Sequence, residues 1–172
     1  MEKNISHKKS DEDTYVKEIS KEEIRKALIK RGFALKDDDT TEITGFNANY
    51  FIDYVKTRTK LLFGKDNFFY VYKKNVWYCV EENTILKYLR NLLQKPKFGI
   101  WKSKYEKEYI TTLKREVYHS EEMNPYKNII NMHNGVFDIH TLQFLSHDAK
   151  YLSTIQIPVE YNPEATCPSF VK

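Results

Sequence analysis

Apolar residues are scarce before Ser20 and recur with a changing period after it, and the changes of period mark out the elements. Met1 to Ile19 is rich in Lys, Glu, Asp and Ser with almost nothing to bury, the composition of a disordered tail. Ser20, Lys21, Glu22 and Glu23 have the spacing of a capping box, in which the serine hydroxyl accepts from the Glu23 amide and the Glu23 carboxylate from the Ser20 amide. A short helix follows, with Ile24, Ala27, Leu28 and the Arg31 stem on one stripe, and ends at Gly32. The run Asp37, Asp38, Asp39 has no apolar repeat and predicts a linker. A second helix starts at Asn47 or Asn49, carries Phe51, Ile52, Val55 and Leu62 at roughly helical spacing, and stops at Gly64, opening the compact domain.

From Phe68 to Val80 the period becomes two: FFYVY and VWYCV flank Lys73, Lys74 and Asn75, a hairpin. A type I turn at the two lysines with Asn75 in the left-handed region pairs Tyr72 with Val76. That register puts Phe69, Val71, Trp77 and Cys79 on one face and Tyr70, Tyr72 and Tyr78 on the other. A third helix, capped by Asn83 or Thr84, buries Ile85, Leu89 and Leu92 with Leu86 and Leu93 beside them, leaves Lys87 and Arg90 outward, and ends at Lys95, Pro96 and Lys97. A fourth runs from about Ser103 to Tyr118 with Ile110, Leu113 and Val117 inward. Beyond it IINMHNGVFDI predicts a second hairpin turning on Asn134 and Gly135, with Ile130, Met132, Phe137 and Ile139 on one face and Asn131, His133, Asp138 and His140 on the other. Ser153 to Val159 adds a third strand. The architecture predicted is α+β: helices packed with two β-hairpins and a small antiparallel sheet, preceded by a disordered tail. Its segments are the tail (1–19), a short helix and acidic linker (20–46) and one domain (47–172).

A hydrophobic fraction of 41% with 15% aromatics is enough for one core. No apolar run of about 18 residues is present to span a membrane, and Met1 to Tyr15 lacks the apolar block of a secretory signal, which predicts a cytoplasmic protein without membrane contact. Cys79 and Cys167 form no CxxC pair, so neither a zinc ribbon nor a disulfide scaffold is encoded. The net charge of +4 is unevenly spread: Phe51 to Tyr118 holds 15 Lys/Arg against 7 Asp/Glu, between mildly acidic flanks. A basic middle of this kind attracts phosphate backbone, and the competing reading is a solvated lysine-rich helix surface.

Catalytic patterns are missing. Phe63, Gly64, Lys65 and Asp66 lack the upstream glycine and the hydroxyl residue of a phosphate loop, so the chain is no ATPase by itself. His133, His140 and His147 recur every seven residues around Asp138, but the hairpin register holds His133 and His140 too far apart to share a metal ion. The same face could pair His133 with Asp138 as acid and base in a small hydrolase, but no nucleophile accompanies them. No catalytic residue, metal ligand or cofactor is assigned. The row Tyr70, Tyr72, Tyr78 beside Lys73 and Lys74 has the make-up of a stacking platform with phosphate contacts, used for single strands, although strand tyrosines also simply pack against helices. With the outward cations Lys87, Arg90, Lys95, Lys97, Lys102 and Lys104 they form the predicted nucleic-acid-binding set.

The stretch NGVFDIHTLQFLSH from Asn134 to His147, followed by YLSTIQIPVEYNPEATCPSF from Tyr151 to Phe170, resembles the end of the poxvirus-type helicase-primase N-terminal-like domain of phage and plasmid primase-helicases. The hairpin from Tyr70 to Trp77 fits the family's tyrosine and tryptophan pattern, and the likeness runs from about Asn47 to Phe170. What the resemblance implies is a non-catalytic accessory module lying ahead of a superfamily 3 helicase ATPase domain. It would help form the collar of a homo-oligomeric ring and touch DNA, single-stranded by the stacking pattern. The helicase domain that would follow Phe170 is missing from this chain and a short charged leader stands where a primase domain is usual, so the family's ATPase residues map to no position. This points to one piece of a split gene or an excised fragment. A freestanding nucleic-acid-binding or replisome-interaction protein derived from the module is the alternative.

Overall fold

Residues 20–36 and 41–166 are described by the structure, a computed structural model. The predicted tail, Asp37 to Asp39 and Cys167 lie outside them. Helix α1 (Lys21–Ile29) opens on the expected capping box: the Ser20 amide donates to the Glu23 carboxylate at 2.9 Å and the Glu23 amide to the Ser20 hydroxyl at 3.2 Å. Gly32, at φ 84°, turns the chain back, and a Cβ there would collide with the Asn47 carbonyl.

On either side of the acidic run, β1 (Phe33–Leu35) and β2 (Ile43–Phe46) pair antiparallel, with Phe33 opposite Phe46. Strands of three and four residues carry too little alternation to be read from pattern. Leu28 and Phe33 are buried in the same core as Phe51, Val55, Leu89 and Leu113, so packing does not break at Asn47.

Helix α2 (Ala48–Lys56) is capped by Asn47, whose side-chain oxygen accepts from the Asn49 amide at 2.9 Å. It stops at Lys56, well before Gly64, because Leu61 and Phe63 alternate into the core as strand β3 (Leu61–Gly64) rather than continuing a helical stripe. With β4 (Phe69–Lys73), β5 (Val76–Val80) and β6 (Tyr118–His119) it makes a four-stranded sheet in the order β5-β4-β3-β6, the β3–β6 pair being parallel.

One face of this sheet, through Leu61, Phe63, Phe69 and Val71, meets α2, α3 (Glu82–Gln94) and α4 (Glu106–Glu116). The apolar stripe of α3 keeps Ile85 and Leu89 as expected but is completed by Leu93, with Leu92 only partly buried, and Glu81 rather than Asn83 or Thr84 stands at its N-cap. The fourth helix is shorter than predicted: Ser103–Tyr105 is a 3₁₀ turn, and α4 buries Tyr109, Ile110 and Leu113. The second face, through Tyr70 and Trp77, is covered by Met123, Ala149 and Leu152.

A second sheet joins β7 (Ile129–Asn131), β8 (Val136–Asp138) and β9 (Gln143–Leu145). Ile130 faces Phe137 and Asn131 faces Val136, and the Met132 amide donates to the Gly135 carbonyl at 2.8 Å, so the turn residues are His133 and Asn134. The register therefore differs by two from the one predicted, which preserves the predicted faces. Gly135 is needed for close approach: a Cβ there would collide with the Phe144 ring and the Leu145 carbonyl. The third strand is Gln143–Leu145; the segment 153–159, expected in that place, runs beside β7 through the single bonds Ile157 N–H to Asn131 O and His133 N–H to Val159 O, both 2.9 Å. The described residues are thus α+β, with four α-helices and three small sheets.

Candidate nucleic-acid interface

The β4–β5 turn decides which side chains are available. Lys74 and Asn75 both have positive φ, 50° and 65°, as a two-residue type I′ turn requires, and Lys73 pairs with Val76. This is one residue away from the predicted register, and a one-residue slip exchanges faces between the two strands. Tyr70 and Tyr72 consequently share a face with Cys79 and Trp77, while Tyr78 lies opposite Val71 on the other. The predicted row of three tyrosines is not formed.

Tyr70 is only 7% exposed and donates its hydroxyl to Asp66 at 2.6 Å; burial, then that bond, pushes its phenol well above the ordinary tyrosine value. Tyr72 is half-buried against Trp77, with ring centroids 5.2 Å apart, and Trp77 donates its indole N–H to the Ala149 carbonyl at 2.9 Å. Both tyrosines belong to the seam with the C-terminal segment. Tyr78 remains 47% exposed.

On the Tyr78 side the hairpin and α3 enclose a groove of about 240 Å³ whose wall is almost wholly apolar, formed by Leu61, Val71, Tyr78, Val80, Ile85 and Tyr88, with Lys73 at its edge. Lys74 is exposed at the turn, where the Asn131 side-chain amide donates to the Asn75 carbonyl at 3.0 Å and steadies the tip. Lys87 and Arg90 are exposed on α3, and Lys95 is exposed just past its end.

The other predicted cations are dispersed. Lys97 donates to the Thr41 carbonyl at 3.0 Å and pins the segment after α3 to the β2 approach. Lys104 lies 4.8 Å from the Tyr105 ring centroid, and Lys102 lines a separate cavity with Phe33, Phe46 and Tyr109.

The histidine face does not assemble. His133 Nδ1 is 3.2 Å from Glu160 rather than beside Asp138, and His147 donates Nε2–H to the Met132 carbonyl at 2.9 Å. Asp138 accepts from the Asn128 side chain and from the His140 and Thr141 amides, which hold its carboxyl below the usual range. Among the described residues no three His, Cys, Asp or Glu side chains converge as a metal site, and no helix is long and apolar enough to cross a membrane.

The helical stripe that carries the Arg31 stem gives no sign of what its guanidinium does. That group, 5% exposed, donates to the Leu92 carbonyl (2.8 Å), the Ala27 carbonyl (2.7 Å) and the Tyr54 hydroxyl (2.8 Å), and lies 4.4 Å from the Tyr54 ring centroid. Arg58 covers the same ring at 5.0 Å. Only the helix-period position of Arg31, beside Leu28, hinted that it was buried.

A family model described as D5 N terminal like matches residues 48–172. The chain belongs to the D5 N terminal like family. This is the N-terminal domain of D5-type helicase-primases, the family whose resemblance begins near Asn47, and it is a module of a helicase-primase rather than the catalytic domain. The matched span of the D5 N-terminal-like domain begins at α2, although α1 and β1 pack into the same core. No curated protein matches the chain significantly.

Proposed function

We propose that this D5 N-terminal-like domain is an accessory module of a cytoplasmic DNA-replication helicase-primase, supporting assembly of its subunits and binding single-stranded DNA beside the helicase ATPase domain. The observation that carries the reading is the groove between the β4–β5 hairpin and α3, in a domain of helicase-primase type. An exposed tyrosine over an apolar floor gives a base a face to stack on, and Lys73 and Lys74 at the rim meet phosphates, the combination used for sequence-tolerant single-strand binding. Duplex has no unstacked base to offer such a groove. The assembly part is supported by the apolar side chains left exposed on and beside the second sheet, Ile130, Phe144, Ile155, Ile157 and Val159, a concentration typical of surfaces covered in a larger particle.

The test is fluorescence anisotropy with a labelled thymidine oligonucleotide, competed by unlabelled single strand and by duplex, with mass by light scattering on the same sample. Preferential competition by single strand and a mass above the monomer are expected. Equal competition by duplex would contradict the groove as a base site, and a monomer at all concentrations would contradict self-assembly by this domain.

A further inference from the structure

The C-terminal ends of α1, α2 and α3 converge on a cavity of about 360 Å³ lined by Lys26, Lys30, Arg31, Arg58 and Lys95 together with Ala27, Tyr54 and Leu92. No carboxylate lines it. Lys26 pairs with Glu22 at 3.1 Å, whereas among the described residues Lys30, Arg58 and Lys95 form no salt bridge. Cations are favoured at helix C-termini, so part of this charge serves the helices themselves. The magnitudes do not balance, however: each helix end carries about half a negative charge, and three of them offset roughly one and a half of the four positive charges that remain once Glu22 offsets Lys26. Arg31 already spends three N–H groups on the Leu92 and Ala27 carbonyls and Tyr54, which makes it the fixed floor of the cavity rather than a mobile surface cation.

The cavity adjoins the apolar groove. Arg58 lines the one and its chain neighbour Thr59 the other. Tyr88, at the end of the groove, is close enough to Tyr54 and Arg58 to interact electrostatically with both. A row results: lysine at the hairpin rim, tyrosine faces in the groove, then a cationic basin.

From this juxtaposition we infer that the basin between the C-terminal ends of α1, α2 and α3 is a phosphodiester site, holding the backbone of a single strand whose adjoining base lies in the groove against Tyr78 and Tyr88. The inference rests on the single-strand reading above and gives it a path. Arg58 supplies a planar fork for two phosphate oxygens, and Lys30 and Lys95 supply point charges beside it. The exposed side of α3, with Lys87 and Arg90, flanks the route.

The test compares the wild-type full chain with the triple variant Lys30→Gln, Arg58→Gln, Lys95→Gln, binding a labelled thymidine oligonucleotide over a series of salt concentrations. Loss of three phosphate contacts should shrink the slope of log affinity against log salt by about 2. Tyr78→Ala should weaken binding about tenfold or more with the slope unchanged, and Tyr78→Phe should restore it. A wild type that binds and a triple variant with the same slope would overturn the basin while leaving the single-strand reading in place. A wild type that does not bind would overturn the single-strand reading, and the path with it. A footprint needs no variant: lysine acetylation of the wild type with and without oligonucleotide should show protection of Lys30 and Lys95 but not of Lys102 and Lys104. Equal modification of all four in the presence of bound strand would contradict the basin.

Discussion

Lys74 occupies a backbone conformation that suits glycine or asparagine better than lysine, since φ there is 50°. Lys74→Asn should therefore raise stability by about 0.5 kcal/mol in urea titrations while reducing the salt dependence of DNA binding. A loss of stability would mean that the turn is not type I′. Gly135 tests the opposite kind of glycine requirement, one of space. Gly135→Ala should cost about 1–3 kcal/mol, because β9 must retreat from the added methyl. A neutral result would show that Phe144 moves freely. Tyr109 makes stability sensitive to alkali. Burial pushes its phenol up to about 12, above an unfolded value of about 10. A raised folded value means the native state holds its proton longer, so this contribution is complete below about pH 10 and is lost as pH rises toward about 12. Thermal melts should fall across that interval in the wild type and less steeply in Tyr109→Phe.

At the scale of elements, strong periodicity was legible and short strands were not. The α1 capping box and the α3 stripe follow from local sequence, because a cap or a heptad-like repeat is satisfied within a few residues. The split of one expected helix into α2 and β3 was hidden, since Leu62 falls at a helical interval from Val55 while the strand is held by pairing with β4 and with the distant β6. Hairpin faces depended on turn type. With Lys-Lys-Asn between the strands, two-residue and three-residue turns are both plausible, and only the sheet's packing against α3 on one side and Leu152 on the other selects between them. Arg31 joins three helices, to Ala27 in α1, Tyr54 in α2 and Leu92 in α3. Arg31→Leu strands those three acceptors without a donor and should cost about 2–4 kcal/mol by urea denaturation. A cost near zero would mean that water reaches them.

For the whole molecule, the basic middle of the chain was visible in composition, and the structure shows why counting alone could not draw a binding surface. Some of the predicted cations hold loops, as Lys97 does at Thr41, or face other cavities, as Lys102 does. Cations outside the predicted set, Lys30, Arg31 and Arg58, come from segments far apart in sequence and converge only because α1 and β1 pack into the domain core. The tyrosine platform illustrates the same dependence: one residue of register sends Tyr70 and Tyr72 to the seam and leaves Tyr78 beside a groove. We propose that this helicase-primase module holds a single strand through backbone charge and base stacking. The most direct test of this is the salt series of wild-type binding to a thymidine oligonucleotide. Log affinity should fall linearly with log salt, with a slope of about −2 or steeper for three or more phosphate contacts. Absence of binding at low salt, or binding indifferent to salt, would contradict the proposal.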